Sequence, residues 1–274
     1  MPKDPATQIE ELTARLQAFS EHNLALKAKI AGASDRLVAE RTWRSEFQAK
    51  YDELRRHYQL SGLGKKIDIT SLPDFAPMAR RLIDEGRIGM NFDRLYTLWQ
   101  AVSGAPDAPA VAEVGSYKGG SSKFIAETLR TMGRSPRFYV CDTFQGHARV
   151  DAAIDGVGDD DGFKDTSPES VAAYLAEYPN VRVVVGDIFE SSTQLAEETA
   201  FAFVHIDVDV YPPTAFCLDF FSPRLAPGAV MVVDDYAVTT CPGTQKAVDD
   251  FVRDNKAFRR VHLLSGQALL FKAT

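Results

Sequence analysis

The sequence predicts an α/β fold, in which an N-terminal coiled-coil helix precedes a doubly wound, mostly parallel sheet of seven strands. Two observations predict it: Val- and Ile-rich runs alternate with amphipathic segments over residues 109–274, and a heptad pattern runs through residues 9–58. Runs that are apolar throughout are typical of parallel strands buried on both faces. We therefore divide the chain into a coiled coil (1–60), a linker with covering helices (61–108) and a sheet domain (109–274).

The N-terminal segment has the pattern of a coiled coil. Residues 9–58 contain no proline, and a heptad with position a at Ile9 places apolar side chains at most a and d positions. Asn23 at an a position is a common device for specifying dimers. The pattern predicts self-association as a dimer, and the alternative is a long amphipathic helix that folds back on its own domain.

Two helices are predicted between a hinge at residues 61–66 and the sheet. Apolar residues recur at helical spacing in residues 74–86 and 90–103. We expect these helices to cover one face or edge of the sheet.

Strands and helices alternate through the rest of the chain. The predicted strands contain the segments PAVAEVGS, RFYVCDTF, VRVVVGDI, FAFVHIDVDV, GAVMVVDDY, FRRVHLLS and QALLFKA. The helices between them contain SSKFIAETLRTMG, SPESVAAYLAEY, PTAFCLDFFSPRL and TQKAVDDFVRDN. A short turn at Gly266 joins the last two strands, which predicts an antiparallel hairpin at one end of the sheet.

Composition excludes several classes of protein. The 31 Lys and Arg residues against 38 Asp and Glu give a net charge of −7, which argues against general nucleic-acid binding. No run of apolar residues is long enough for a membrane span, and the first residues lack the apolar core of a signal peptide. The three cysteines, Cys141, Cys217 and Cys241, have unrelated spacings. They fit a reducing compartment, so a cytoplasmic location is expected.

The first strand ends in an acid and a glycine turn, within residues 113–122 (EVGSYKGGSS). This is not a phosphate-binding P-loop, because Gly120 stands where the lysine belongs, nor a dinucleotide fingerprint, because Tyr117 stands at the second glycine. Gly115 would let a ligand approach the backbone closely, and Glu113 could receive hydroxyls or a cation. The alternative is a simple strand-to-helix turn.

The next two strand ends are also acidic. Residues 142–144 (DTF) end the second strand and residues 186–188 (GDI) end the third. An acid in the position of Asp142 holds ribose hydroxyls in doubly wound nucleotide sites, and Asp187 could flank an adenine ring. Acids without a phosphate-binding device predict a nucleoside cofactor that lacks phosphates, with S-adenosylmethionine as the first candidate.

The fourth and fifth strands end in a further set of carboxylates. Asp207 and Asp209 follow the fourth strand, and Asp234 and Asp235 follow the fifth. These two strand ends can be neighbours, and crowded carboxylates repel one another unless a cation neutralises them. Oxygen ligands favour Mg²⁺, with Ca²⁺ or Mn²⁺ as alternatives. The competing interpretation is that the acids cap helix N-termini, and His205 inside the strand is expected to be packed.

The motifs EVGSYKGGSS, DTFQG, GDIFES, HIDVDVYPPT, GAVMVVDDY and CPGTQKAVDDF together resemble the macrocin O-methyltransferase family. That family contains S-adenosylmethionine- and Mg²⁺-dependent sugar methyltransferases of antibiotic and polysaccharide pathways. The resemblance spans about residues 85–271 and implies a class I methyltransferase-like Rossmann fold. It departs from the family at Val208, where a glycine is usual, and at Gln145, where an acid is usual.

The resemblance also implies which residues form the site. The metal ligands would be Asp207, Asp234 and Asp235. Glu113, Gly115 and the glycine pair at 119–120 would line the methionine end of the donor, Asp142 would hold its ribose, and Asp187 with Ile188 would meet its adenine. The full set of residues that we predict to bind the donor is Glu113, Gly115, Ser116, Tyr117, Gly119, Ser121, Ser122, Asp142, Thr143, Phe144, Gly186, Asp187 and Ile188.

The proton acceptor is left open among three residues. Related catechol enzymes carry a lysine three positions after the first metal ligand, where this chain has Val210. The candidates are therefore Asp209, His147 or Asp207 itself. The expected substrate is a sugar hydroxyl, and the coiled coil could dock a partner from glycan biosynthesis. The alternatives are an O-methyltransferase of a catechol-like small diol and a non-catalytic scaffold with a relic nucleoside-binding domain.

Overall fold

A computed structural model of the chain describes residues 72–147, 149–155 and 162–272, together with Thr42 and Ile69. The chain divides into two units, Met1–Ile67 and Asp68–Thr274, and the fold below is that of the second. The predicted coiled coil and hinge lie outside the described residues, apart from Thr42, and so stay predictions.

A single sheet contains all seven predicted strands, in the order β3-β2-β1-β4-β5-β7-β6. The strands are β1 (Ala110–Val114), β2 (Arg137–Asp142), β3 (Val181–Val185), β4 (Phe201–Ile206), β5 (Leu225–Val233), β6 (Phe258–Leu263) and β7 (Gln267–Lys272). Strands β1 to β5 are parallel, whereas β7 is antiparallel to β5 and to β6. The predicted doubly wound fold, with its antiparallel hairpin at one end, is confirmed.

Helices cover both faces of this sheet. They are α1 (Ala76–Asp84), α2 (Phe92–Ser103), α3 (Gly120–Thr131), α4 (Pro168–Tyr174), α5 (Ile188–Ser191), α6 (Tyr211–Phe221) and α7 (Pro242–Asp254), with 3₁₀ turns at Ser192–Leu195 and Ser222–Arg224. Among the described residues, no helix combines the length and the apolarity needed to cross a membrane.

Two hydrophobic layers enclose the sheet. One contains side chains of α1, α2 and α3, including Leu82, Leu95 and Phe124, which are fully buried. The other contains side chains of α6 and α7, including Leu218 and Val248. Because both faces are covered, the central strands are apolar at almost every position, which is why the sequence shows continuous runs instead of alternation.

Backbone hydrogen bonds continue between the strands beyond their carboxyl ends. The amide of Asp207 donates to the carbonyl of Val114 at 2.8 Å, and the amide of Asp234 donates to the carbonyl of Ile206 at 2.8 Å. The ends of β1, β4 and β5 therefore lie side by side, and the residues that follow them meet at one edge of the sheet.

Candidate active site

A cavity of about 210 Å³ opens at the carboxyl ends of the parallel strands. Nine of the residues predicted to bind a methyl donor line it: Gly115, Ser116, Tyr117, Ser121, Asp142, Thr143, Gly186, Asp187 and Ile188. The residues predicted to bind a metal or to accept a proton also line it: His147, Asp207, Asp209, Asp234 and Asp235. The topology thus brings both halves of the predicted site to one place.

The glycine turn after β1 is required by the close approach of β4. Gly115 has a φ of +89°, and a Cβ built there would lie 1.7 Å from the carbonyl oxygen of Asp207. No residue with a side chain can occupy that position without moving the backbone. The turn therefore holds the end of β1 against Asp207, the first of the acids that follow β4 and β5.

Asp142 organises the same turn from the neighbouring strand. Its Oδ2 accepts hydrogen bonds from the amides of Ser116 and Tyr117, each at 2.7 Å, and its Oδ1 accepts one from the amide of Phe144 at 2.7 Å. Tyr117 and Phe144 both have positive φ, at 48° and 55°. The carboxylate thus stabilises two strained loop residues, of which Tyr117 lies on the cavity wall.

Four of the residues predicted to bind the donor are not on the cavity wall: Glu113, Gly119, Ser122 and Phe144. Glu113 is fully buried. Its carboxylate accepts a hydrogen bond from Ser122 Oγ and lies 2.8 Å from Nδ1 of His205, its register partner on β4. Glu113 and Ser122 are therefore held beneath the cavity, in a polar group between the sheet and α3.

The other two are displaced by packing. Phe144 is 7% exposed and belongs to the core between the sheet and the first helices. Gly119 precedes α3, where a Cβ would lie 3.0 Å from a methyl carbon of Val171. The glycine there makes room for Val171 of α4.

The predicted metal ligands fall into two adjoining groups. Asp207 and Asp234 lie with His205, and one ligand atom of each is within 4.8 Å of the others. Burial and the Asp234 carboxylate raise the pKa of Asp207 well above its usual value. Burial also raises the pKa of Asp234, against the opposing effects of His205 and Arg94. These acids are therefore costly to ionise without a further cation.

Asp235 belongs to the second group, with Asp209 and Cys241 at the same spacing. Burial raises the pKa of Asp235 to about 6, although Arg94 opposes the shift. Asp209 and Asp235 have φ values of +63° and +54°, in the left-handed region that non-glycine residues seldom adopt. The backbone is strained where the carboxylates meet, as is typical of functional sites.

Two of the three candidate proton acceptors are paired with each other. His147 Nε2 lies 3.1 Å from Asp209 Oδ2. Burial raises the pKa of Asp209, but the contacts with His147 and other neighbours outweigh it and lower the pKa overall. Phe163 lines the cavity beside them, with its ring 5.3 Å from the imidazole of His147 and edge-on at 5.1 Å to Tyr117.

Sequence reasoning did not identify Arg94, which lies on α2. Its guanidinium contacts Asp234 Oδ2 at 3.2 Å and Asp235 Oδ1 at 2.8 Å, so it bridges the two acidic groups. Its only sequence signal is one basic residue in an amphipathic helix, which is also the signal of an ordinary solvated side chain.

Known proteins of similar sequence are named as methyltransferases. A family described as "Methyltransferase domain" matches residues 112–236, which contain all the strand ends described above. A curated relative from Streptomyces olivaceus, named as an 8-demethyl-8-(2,3-dimethoxy-alpha-L-rhamnosyl)-tetracenomycin-C 4'-O-methyltransferase, is 32% identical over 133 residues. That alignment covers 44% of this chain and 51% of the relative, so the chain spans about half the length of the relative it matches.

Two solved structures of similar fold are named as methyltransferases. The O-methyltransferase NovP is 23% identical with a TM-score of 0.58, covering 69% of this chain and 82% of NovP. The calicheamicin methyltransferase CalS11 is 20% identical with a TM-score of 0.53, covering 76% of this chain and 98% of CalS11. The fold predicted from the sequence is therefore confirmed. The similarity to a sugar O-methyltransferase agrees with the resemblance drawn from the motifs.

Proposed function

We propose that this chain, which carries a methyltransferase domain, transfers a methyl group from S-adenosylmethionine to a sugar hydroxyl. The acceptor would be a glycoside, a nucleotide sugar or a polysaccharide, and a divalent cation would assist. One observation carries the proposal: a single cavity joins the donor-type residues of β1, β2 and β3 to the carboxylates that follow β4 and β5. A donor in the first half would present its methyl group to an acceptor in the second.

The donor half suits a nucleoside without phosphates. Asp142 accepts from three backbone amides, and the Ser116 hydroxyl makes a longer contact of 3.4 Å with its Oδ2. A carboxylate has about four acceptor positions, so a ribose hydroxyl would take the place of that long contact. Asp187 lies on the same wall beside Ile188, where an adenine ring could pack. The carboxylates here would repel a pyrophosphate.

The carboxylates that follow β4 and β5, namely Asp207, Asp209, Asp234 and Asp235, form an acid cluster that is suited to a divalent cation. The side chain of Asp234 is 1% exposed, and apart from the ion pair of its Oδ2 with Arg94 it has no side-chain partner among the described residues. A buried carboxylate with unused acceptor positions is suited to bind a cation. Asp207 and Asp234, which lie in one group, and Asp235 of the adjoining group would hold the ion, and Mg²⁺, Mn²⁺ or Ca²⁺ would suit their oxygens. When bound, such an ion would lower the pKa of an acceptor hydroxyl.

The proton would leave through the pair of His147 and Asp209. As the acceptor oxygen bonds to the methyl carbon, the carbon–sulfur bond breaks and S-adenosylhomocysteine is released. His147 would take the hydroxyl proton, and Asp209 would orient the imidazole and stabilise its charged form. Asp207 is the alternative base, because burial and the neighbouring Asp234 raise its pKa.

The substrate class is supported by the curated relative, whose name places its methyl group on a rhamnosyl unit. The coiled-coil dimer, a partner in glycan biosynthesis and the cytoplasmic location stay predictions.

Methyl transfer tests the proposal directly. Labelled S-adenosylmethionine would be offered with nucleotide sugars, rhamnosides, glycan oligomers and catechols, with EDTA or with added Mg²⁺. We expect transfer to at least one sugar, loss of transfer in EDTA and its recovery with Mg²⁺. Asp234→Asn should abolish transfer, whereas Asp219→Asn, an exposed aspartate on α6, should not change it.

Other outcomes assign the chain elsewhere. Transfer to catechols alone would replace the sugar with a small diol. Failure of the chain to bind S-adenosylhomocysteine in calorimetry would leave only the scaffold alternative. Full activity of the Asp234→Asn variant would remove the cation from the mechanism.

A further inference from the structure

Arg94 is built into the acid cluster as a fixed cation. Its Nη1 lies 3.2 Å from Asp234 Oδ2 and its Nη2 lies 2.8 Å from Asp235 Oδ1. Its Nε donates to the carbonyl of Ser265, in the turn between β6 and β7, at 3.0 Å. The side chain is 18% exposed and lines the cavity.

The seat of this guanidinium is shaped by three separate elements. Arg94 comes from α2, the carboxylates follow β5, and Ser265 belongs to the closing hairpin. Gly266 has a φ of +78°, and a Cβ built there would lie 3.2 Å from Nη2 of Arg94. The turn therefore leaves room for the arginine, and the contact is not one made by a loose surface side chain.

The positive charge of Arg94 bears directly on how strongly Asp234 and Asp235 can bind a cation. Asp234 and Asp235 are adjacent in sequence and buried or nearly so, with 1% and 18% of their side chains exposed. The guanidinium supplies one positive charge to oxygens that a divalent cation would also use. A nearby positive charge raises the free energy of a bound cation, and this effect is large where water is excluded.

We propose that Arg94 and the divalent cation compete for Asp234 and Asp235. Arg94 is then a positioning residue that neutralises the two acids when no ion is bound and sets how tightly an ion is held. This inference rests on the proposed function in one respect, namely that the cluster binds a divalent cation.

The test is the affinity of the full-length chain for Mn²⁺, measured by calorimetry and by the loss of the free Mn²⁺ signal in electron paramagnetic resonance. Arg94→Gln should bind Mn²⁺ about tenfold more tightly than the wild type, because one opposing charge is gone. Arg94→Lys keeps the charge and should stay within about threefold of the wild type.

Arg87 offers a matched control. It is also an arginine on the cavity wall, but its guanidinium contacts the hydroxyl and the carbonyl of Ser170 and no carboxylate of the cluster. Arg87→Gln removes the same charge from the same cavity and should leave Mn²⁺ affinity within about twofold, because more distant charges are screened.

Thermal unfolding is a second measurement, which stays informative if the Arg94→Gln variant is less stable than the wild type. Without Mn²⁺, Arg94→Gln should melt at a lower temperature than the wild type, and Mn²⁺ should raise its melting temperature by more than it raises that of the wild type. Tighter Mn²⁺ binding or this larger shift supports the competition.

Equal or weaker Mn²⁺ binding by Arg94→Gln, with wild-type binding intact, would overturn the competition and leave the proposed function standing. If neither protein binds Mn²⁺, Mg²⁺ or Ca²⁺, the cation is lost from the proposed function and the competition fails with it.

Discussion

His147 and Asp209 are separated by 62 positions in the chain, yet the imidazole Nε2 lies 3.1 Å from the carboxylate Oδ2. His147 follows β2 and Asp209 follows β4, with β1 between these strands in the sheet. The contact exists because parallel strands bring their carboxyl ends to one edge. Two residues that the sequence offered as alternative proton acceptors are thus one hydrogen-bonded pair.

We expect this pair to act as a unit in catalysis. His147→Gln and Asp209→Asn should each lower kcat by about 10²-fold or more, the usual contribution of a positioned base. The double variant should be hardly slower than either single one, because both changes remove the same function. Binding of S-adenosylhomocysteine, measured by calorimetry, should be unchanged. Losses that multiply in the double variant would show that the two residues act separately.

Gly115 should be irreplaceable for a steric reason. Gly115→Ala should lower the free energy of unfolding by about 3 kcal/mol or more, because it adds both a clash and backbone strain. Gly133 is the matched control: its φ is +69° and nothing lies within 4 Å of a Cβ built there. Gly133→Ala should cost about 1–2 kcal/mol, the strain alone. Urea unfolding measures both, and equal losses would argue against the predicted contact with β4.

Asp142 should control donor binding through the loop that it holds. Asp142→Asn removes one of the two carboxylate oxygens that accept the amides of Ser116, Tyr117 and Phe144. We expect the dissociation constant for S-adenosylhomocysteine to rise about tenfold, in line with the loss of one charged hydrogen bond. Mn²⁺ affinity should not change, since the acid cluster keeps its own backbone contacts. Unaltered donor binding would separate this carboxylate from the donor site.

Glu198 should make stability depend on acid pH. Hydrogen bonds from Arg137 lower its pKa below the usual 4.5, against the opposing effect of burial. A carboxyl group whose pKa is lowered by folding stabilises the protein at pH values above its pKa in the unfolded state. That stabilisation is lost as the pH falls through the pKa of the folded state. Glu198→Gln should therefore lower the melting temperature at pH 7 by about 2–4 °C and by less as the pH falls below 4.

Glu177 is the comparison for that measurement. It pairs with Arg130, and both side chains are about half exposed, at 47% and 51%; its other carboxylate oxygen lies 3.4 Å from Nζ of Lys123. Glu177→Gln should shift the melting temperature by about 1 °C or less, because solvent screens exposed pairs. Equal shifts for the two variants, or a Glu198→Gln shift that grows towards low pH, would contradict the assigned role of Glu198.

The elements of the fold were largely readable from the chain. Strands β1 to β5 contain short apolar runs, and the two helices before the sheet, Ala76–Asp84 and Phe92–Ser103, begin and end within two residues of the predicted 74–86 and 90–103. Local periodicity carries this information, since burial on two faces dictates apolar side chains whatever the strand order. The convergence of the acids could also be predicted, because strand ends of a parallel sheet share an edge.

The contacts of individual side chains could be predicted less well from the sequence. Glu113 was predicted at the donor site, but it lies beneath the cavity with His205. The direction of a side chain within a strand depends on which face the sheet turns towards the helices, and no local spacing records that choice. Arg94 was missed for a similar reason, since its partners lie about 140 positions away along the chain.

The order of residues along the chain was thus enough to determine the strands and helices, the acids at the strand ends and the chemistry they favour. Only the packed structure decided which acids meet and which are withdrawn from the cavity. It also decided that the guanidinium of Arg94 lies between Asp234 and Asp235. The reason is physical: secondary structure follows from interactions between near neighbours, whereas a buried charge takes its properties from groups that only the folded sheet brings within a few ångströms.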